Sequence, residues 1–170
     1  QRDSLLPWLT VQQNVLLGQR LRKQQTKNDA MRANELLKQV GLGDLGDRTP
    51  EQLSGGQRQR VALARTLMED KPVVLMDEPF SALDAITRLQ LQDLAASLLH
   101  DRTVILITHD PLEALRLSDE VWAMTGRPVQ LDKKLTIDMP APRALDDARI
   151  LKWQGELLAS LEQDMAGAPV

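Results

Sequence analysis

The sequence predicts an α/β fold with a helical portion in front, and three observations carry that expectation. Two short runs, Val73-Val74-Leu75-Met76 and Val104–Ile107, are continuously apolar rather than alternating, the pattern of strands buried on both faces of a parallel sheet. A long helical segment carrying Ile86, Leu89, Leu94 and Leu98 lies between them, as a crossover between parallel strands requires. Upstream of the first run, apolar residues recur at helical spacing with no strand-like stretch.

The elements follow in chain order. Residues 1–9 hold Pro7 and read as a loop. Thr10 with Gln13 three residues on matches a capping box, so a helix is expected from there to about Leu21. Ala30, Ala33, Leu37 and Val40 mark the apolar face of a second helix, which Gly41 ends. Gly41–Pro50 reads as a loop. Ser54 opens a third helix through Val61, Ala64, Leu67 and Met68, and Pro72 separates it from the first strand. After the second strand, Thr103–Thr108, the order Asp110, Pro111, Glu113 fits an N-cap, an N1 proline and a capping box. Shorter strands are expected at Val121–Met124, Val129–Leu131 and Thr136–Ile137. Pro140-Ala141-Pro142 precedes a final amphipathic helix near Asp146–Gln163, whose Leu151, Leu157, Leu158 and Leu161 read as packing residues.

Composition excludes several classes. The 170 residues carry 21 Lys+Arg against 24 Asp+Glu, a net charge of −3 without a basic run, which disfavours binding to nucleic acid or to an anionic membrane surface. With no cysteine there is no disulfide, thiolate nucleophile or Cys-based metal site, and two histidines leave little for a His-rich one. The apolar runs are too short to span a bilayer. Gln1-Arg2-Asp3 begins neither a signal peptide nor, lacking Met, an intact reading frame.

Chemistry concentrates in three places. In Leu53-Ser54-Gly55-Gly56-Gln57, two glycines occupy a helix's first turn, where each costs about 1 kcal/mol relative to alanine. Close approach of a phosphate to bare amides at a helix N-terminus accounts for that, with Ser54 donating and Arg58 and Arg60 adding positive potential; a plain serine cap followed by incidental glycines is the alternative. The first strand ends in Asp77-Glu78-Pro79. Phosphoryl transfer would use both acids, one in the Mg²⁺ shell and one on the attacking water, whereas acids simply marking a strand's exit into solvent are the bland alternative. His109 directly follows the second strand, at the carboxyl edge where parallel sheets bind ligands, although a histidine there is also an ordinary loop residue; His100, at a helix end, is assigned that ordinary role.

Taken together, these segments resemble the ATP-binding cassette (ABC) ATPases, the nucleotide-binding subunits of transporters. Leu53–Gln57 is similar to the family signature, Val73–Asp77 with Glu78 to the Walker B strand and its catalytic glutamate, Ser81–Asp84 to the D-loop and His109 to the switch histidine. Gln1, followed by Leu5-Leu6-Pro7-Trp8, resembles the Q-loop. The resemblance implies a P-loop NTPase-like α/β core, a parallel sheet flanked by helices and incomplete here, with a helical subdomain. It divides the chain into a Q-loop (1–9), a helical subdomain with the signature (10–70), the C-terminal half of the core (71–139) and a C-terminal helical tail (140–170). ATP and Mg²⁺ are the implied cofactors. Glu78 and His109 are implied to be catalytic, Asp77 and Gln1 to serve the metal, and Gln1, Ser54, Gly55, Gly56, Gln57 and Asp84 to serve nucleotide binding.

The implied machine is a head-to-tail dimer of ATPase subunits on transmembrane permease subunits, linked indirectly to a substrate-binding protein, peripheral on the cytoplasmic face of the membrane, and with no nucleic-acid partner. Leu-Leu-Pro-Trp after Gln1, the Asp77–Asp84 run and the Thr136–Arg143 stretch resemble the nitrate/sulfonate/taurine importers, with import of a thiamine-precursor pyrimidine as a related case. One family element, the G-x-x-x-x-G-K-[ST] loop, is missing. Gly41 and Gly46 have its glycine spacing, but Asp47 and Arg48 stand where Lys and Ser/Thr belong. The chain therefore reads as the C-terminal portion of an ATPase, inactive alone. The rival readings are a non-catalytic module that donates its signature face to a partner ATPase, and a soluble ABC ATPase unconnected with transport.

Overall fold

The computed structural model describes residues 4–23, 26–126 and 128–166 and divides into two units, Gln1–Ile105 and Leu106–Val170. In the first unit, α1 (Val11–Val15) opens on the expected capping box: the Thr10 hydroxyl accepts the Gln13 N–H at 3.2 Å, and Gln13 Oε1 accepts the Thr10 N–H at 3.1 Å. The helix expected to continue to Leu21 is interrupted at Leu16, which closes α1 and opens α2 (Leu17–Leu21). A second capping box, Thr26 with Asp29, starts α3 (Lys27–Gln39) three residues before the apolar repeat begins. Gly41, at φ +74°, ends it in a Schellman arrangement: the Leu42 N–H reaches Leu37 O at 2.7 Å and the Gly41 N–H reaches Lys38 O at 2.9 Å. The Gly41–Pro50 stretch contains one short 3₁₀ turn, Gly43–Leu45, and abuts a second, Pro50–Gln52.

α4 (Gly55–Met68) buries Val61, Leu63, Ala64, Leu67 and Met68 and packs on α1 and α3. Asp70 follows in the left-handed region (φ +51°), where its carboxylate meets Arg102 at 2.9 Å and Arg32 at 3.2 Å. Those contacts hold it below the usual carboxylate range, Arg102 foremost. Arg102 also donates to Lys71 O, so one side chain ties the turn before β1 (Val73–Asp77) to the start of β2 (Thr103–Ile107). α5 (Ala85–Leu99) connects these two strands, which pair in a two-stranded parallel sheet.

Two expectations are corrected here. The apolar strands are not buried on both faces: Val74 is buried, but Val73, Leu75, Val104 and Ile105 are exposed, Leu75 by 72%. A two-stranded sheet with few covering elements cannot hide two faces. In α5 the buried face is Leu91, Gln92, Ala95 and Leu99, while Ile86 is exposed.

The second unit places α6 (Pro111–Leu117) and α7 (Ala148–Ala166) with an antiparallel hairpin, β3 (Glu120–Thr125) and β4 (Gln130–Thr136). The two short strands expected at Val129–Leu131 and Thr136–Ile137 are served by the single strand β4. Leu115, Val121, Ile137, Ile150 and Leu157 form the core, with Leu161 packed against it, while Leu151 and Leu158 are exposed. Arg143 is buried and donates to the carbonyls of Leu115 and Ser118, both at 2.9 Å, and to Met139 O. It thereby satisfies the end of α6, where helical carbonyls lack partners.

Candidate functional site

Ser54 is the N-cap of α4. Its hydroxyl accepts the Gln57 N–H at 3.2 Å, and Gln57 Oε1 accepts the Ser54 N–H at 2.8 Å. Accepting through a lone pair leaves the hydroxyl proton for donation, and the first-turn amides of Gly55 and Gly56 are of the kind that lack helical partners. The two arginines expected to add potential are directed into the chain: Arg58 Nη1 donates to Leu53 O at 2.8 Å and Arg60 Nη1 to Val40 O at 3.2 Å.

β1 ends at Asp77, which is exposed. Glu78 follows at φ +47°, a left-handed conformation that is uncommon for a residue with a side chain. The Ser81 hydroxyl and N–H both donate to Glu78 O, at 3.0 and 3.4 Å, and buried Phe80 anchors the turn. Asp77 and Glu78 line a cleft of about 170 Å³ together with Gln59 and Arg65 of α4. Arg65 Nη1 also donates to Ser4 O at 2.8 Å, which fixes the first described residue against α4.

Asp84 is the N-cap of α5 and accepts the Thr87 N–H at 3.0 Å. Hydrogen bonds from the Thr87 side chain and backbone hold its carboxyl below the ordinary value. Ser54, Gly55, Gly56, Gln57, Asp77, Glu78 and Asp84 all belong to the first unit. His109 belongs to the second, exposed between β2 and Asp110, whose own carboxylate accepts the Leu112 N–H at 2.9 Å as the cap of α6. Gln1 lies outside the described residues.

Among the described residues no three His, Cys, Asp or Glu side chains cluster as a metal cage. Two adjacent carboxylates nonetheless fit Mg²⁺, which keeps several waters and takes few protein ligands when phosphates supply the rest.

Asn14, Thr87 and Arg65 were not singled out by the sequence reading. Asn14 carried a usable signal: it sits between Val11 and Val15, both buried, on a short capped helix. Arg65 gave none, because its partner Ser4 is distant in sequence, and Thr87 stands at the ordinary third position after the Asp84 cap.

A family model described as ABC transporter matches residues 1–81. The chain is 44% identical to an ABC transporter ATP-binding protein of Haemophilus influenzae, with 95% of this chain and 68% of that protein aligned. It is 48% identical to the aliphatic sulfonates import ATP-binding protein SsuB 1 of Rhodococcus jostii, covering 96% of this chain and 64% of the relative, and 45% identical to SsuB of Escherichia coli K12, covering 96% and 62%. The chain thus spans about two thirds of the length of these relatives. Among solved structures, an inward-facing transporter of metal-chelate type aligns at TM-score 0.63 and 27% identity over 74% of this chain and 52% of that one. A dimeric post-hydrolysis ATP-binding cassette bound to ADP and Pi aligns at 0.60 and 35% over 72% and 55%. The chain belongs to the ATP-binding protein family of ABC transporters.

Proposed function

We propose that this chain supplies the signature, Walker B, D-loop and switch segments of an importer's ATP-hydrolysing subunit. The observation that carries the reading is the end of β1, where Asp77 is followed by a glutamate held in a left-handed turn at the edge of a cleft. Such strain costs on the order of 1–3 kcal/mol and persists where a side chain must be aimed. The sulfonate-import relatives support the transport assignment and a small anionic solute as cargo, and the dimeric cassette supports a paired subunit.

Bound Mg·ATP supplies the scissile phosphoryl group and the cation that screens its charge. Asp77 takes the metal shell, and Glu78 accepts a proton from the attacking water or holds that water in line. Ser54, Gly55, Gly56 and Gln57 act on the γ-phosphate held by the partner subunit, through the Ser54 hydroxyl and the helix-terminal amides. Asp84 links the two sites, His109 contacts the γ-phosphate and Gln1 senses the metal and phosphate. The four segments 1–9, 10–70, 71–139 and 140–170 serve as Q-loop, helical subdomain, catalytic half-core and tail. The subunit sits on permease subunits at the cytoplasmic face of the membrane, and a substrate-binding protein acts on it only through them. Among the described residues no helix is long and apolar enough to cross a membrane.

These 170 residues contain no G-x-x-x-x-G-K-[ST] segment, so alone they lack the amide cradle and lysine that offset desolvation of a triphosphate. Titrating the 170-residue chain with fluorescent Mg·ATP and following phosphate release is expected to give neither micromolar affinity nor turnover. Micromolar binding would contradict this division of labour.

A further inference from the structure

The two signature glycines look alike in sequence, but their surroundings differ. A Cβ on Gly55 would meet nothing nearer than Arg58 Nη2, at 3.9 Å. A Cβ on Gly56 would lie 2.5 Å from Thr87 Cγ2 and 3.8 Å from Thr87 Cβ. The space beside Gly56 is therefore already taken by a methyl group from α5, whereas the space beside Gly55 is open.

Thr87 is poorly able to give way. It is β-branched, so χ1 has few allowed settings, and its N–H donates to the Asp84 carboxylate at 3.0 Å. Contact between the first turns of α4 and α5 and the cap of α5 thus meet at one residue.

We propose that Gly56 is the socket for the Thr87 methyl, and that Thr87 is a positioning residue locking the start of α4, with Ser54–Gln57, to the start of α5, with Asp84. The inference rests on the roles proposed above for those residues. It gives them a shared mechanical consequence: the signature and the D-loop move as one body within the chain. Gly55 is then the glycine left open to an incoming phosphate.

A four-variant cycle in the complete ATPase subunit, assembled with its partners, tests this. Gly56→Ala is expected to lower the melting temperature by about 4 °C or more. It should also lower kcat about tenfold or more, with KM changed less than about twofold. Thr87→Ser deletes the methyl and keeps the hydroxyl, so the double variant Gly56→Ala/Thr87→Ser recovers both melting temperature and kcat to the level of Thr87→Ser alone. Gly55→Ala does not lower the melting temperature. A double variant no better than Gly56→Ala overturns the socket. Recovery of melting without recovery of kcat overturns the positioning role. If the unsubstituted subunit hydrolyses no ATP, the functional reading fails, and the socket stands or falls on the melting cycle alone.

Discussion

Asn14 shows how much one buried amide can organise. It is fully buried, its Nδ2 donates to the carbonyls of Leu6, Leu9 and Thr10 at 3.0 to 3.2 Å, and its Oδ1 accepts the Leu6 N–H at 2.8 Å. It therefore closes the Leu6–Thr10 loop around itself and holds Trp8, 74% exposed, outward. Replacing it with alanine leaves the Leu6 N–H and the Leu9 carbonyl without their partner, while the Leu6 and Thr10 carbonyls keep backbone donors; a polar group buried without a partner costs about 1–3 kcal/mol. Asn14→Ala is expected to lower unfolding free energy by about 3 kcal/mol in chemical denaturation; a loss under about 1 kcal/mol would mean that water satisfies the loop equally well. At the start of α7, Asp147 accepts hydrogen bonds from the Arg149 side chain and backbone, and these bring its carboxyl down to about 2. A folded value below the unfolded one means that the contribution is complete above about pH 4 and is lost as pH falls toward 2. Denaturation of wild type and Asp147→Asn across pH 5 to 2 should show a stability gap that closes on acidification. A gap independent of pH would show that the charge is not what stabilises the cap.

Most of the elements were legible in the sequence because their signals are local. The Thr10 and Ser54 caps and the Gly41 stop each depend on residues within a few positions and form as read; Asp110 caps α6 with Pro111 at its first position, but the Asp110 N–H donates to Thr108 Oγ1 at 3.1 Å, so the capping box expected with Glu113 is not what α6 opens on. What could not be read depends on partners far along the chain. The interruption at Leu16 has only Gly18, two residues on, to announce it. The burial expected of β1 and β2 rested on their continuous apolar runs, yet Leu75 and Ile105 are exposed because cover is a property of neighbouring elements. The same limit applies to the candidate site. The types and spacing of Ser54–Gln57, Asp77 and Glu78 were readable, but the left-handed turn at Glu78 and the Thr87 methyl against Gly56 required coordinates.

Across the whole molecule, the proposed division of labour puts the signature and the acid pair in the first unit and His109 in the second. On that proposal nucleotide favours the closed arrangement of a head-to-tail pair and hydrolysis releases it, so Glu78, as proposed proton acceptor, would control how long the closed state lasts. The most direct measurement is single-turnover phosphate release alongside nucleotide retention in the complete subunit, with and without Glu78→Gln. The account predicts that the variant retains Mg·ATP and remains in the closed dimer while phosphate release falls by about 10²-fold or more. Release at the unsubstituted rate, with ATP retained, would contradict it.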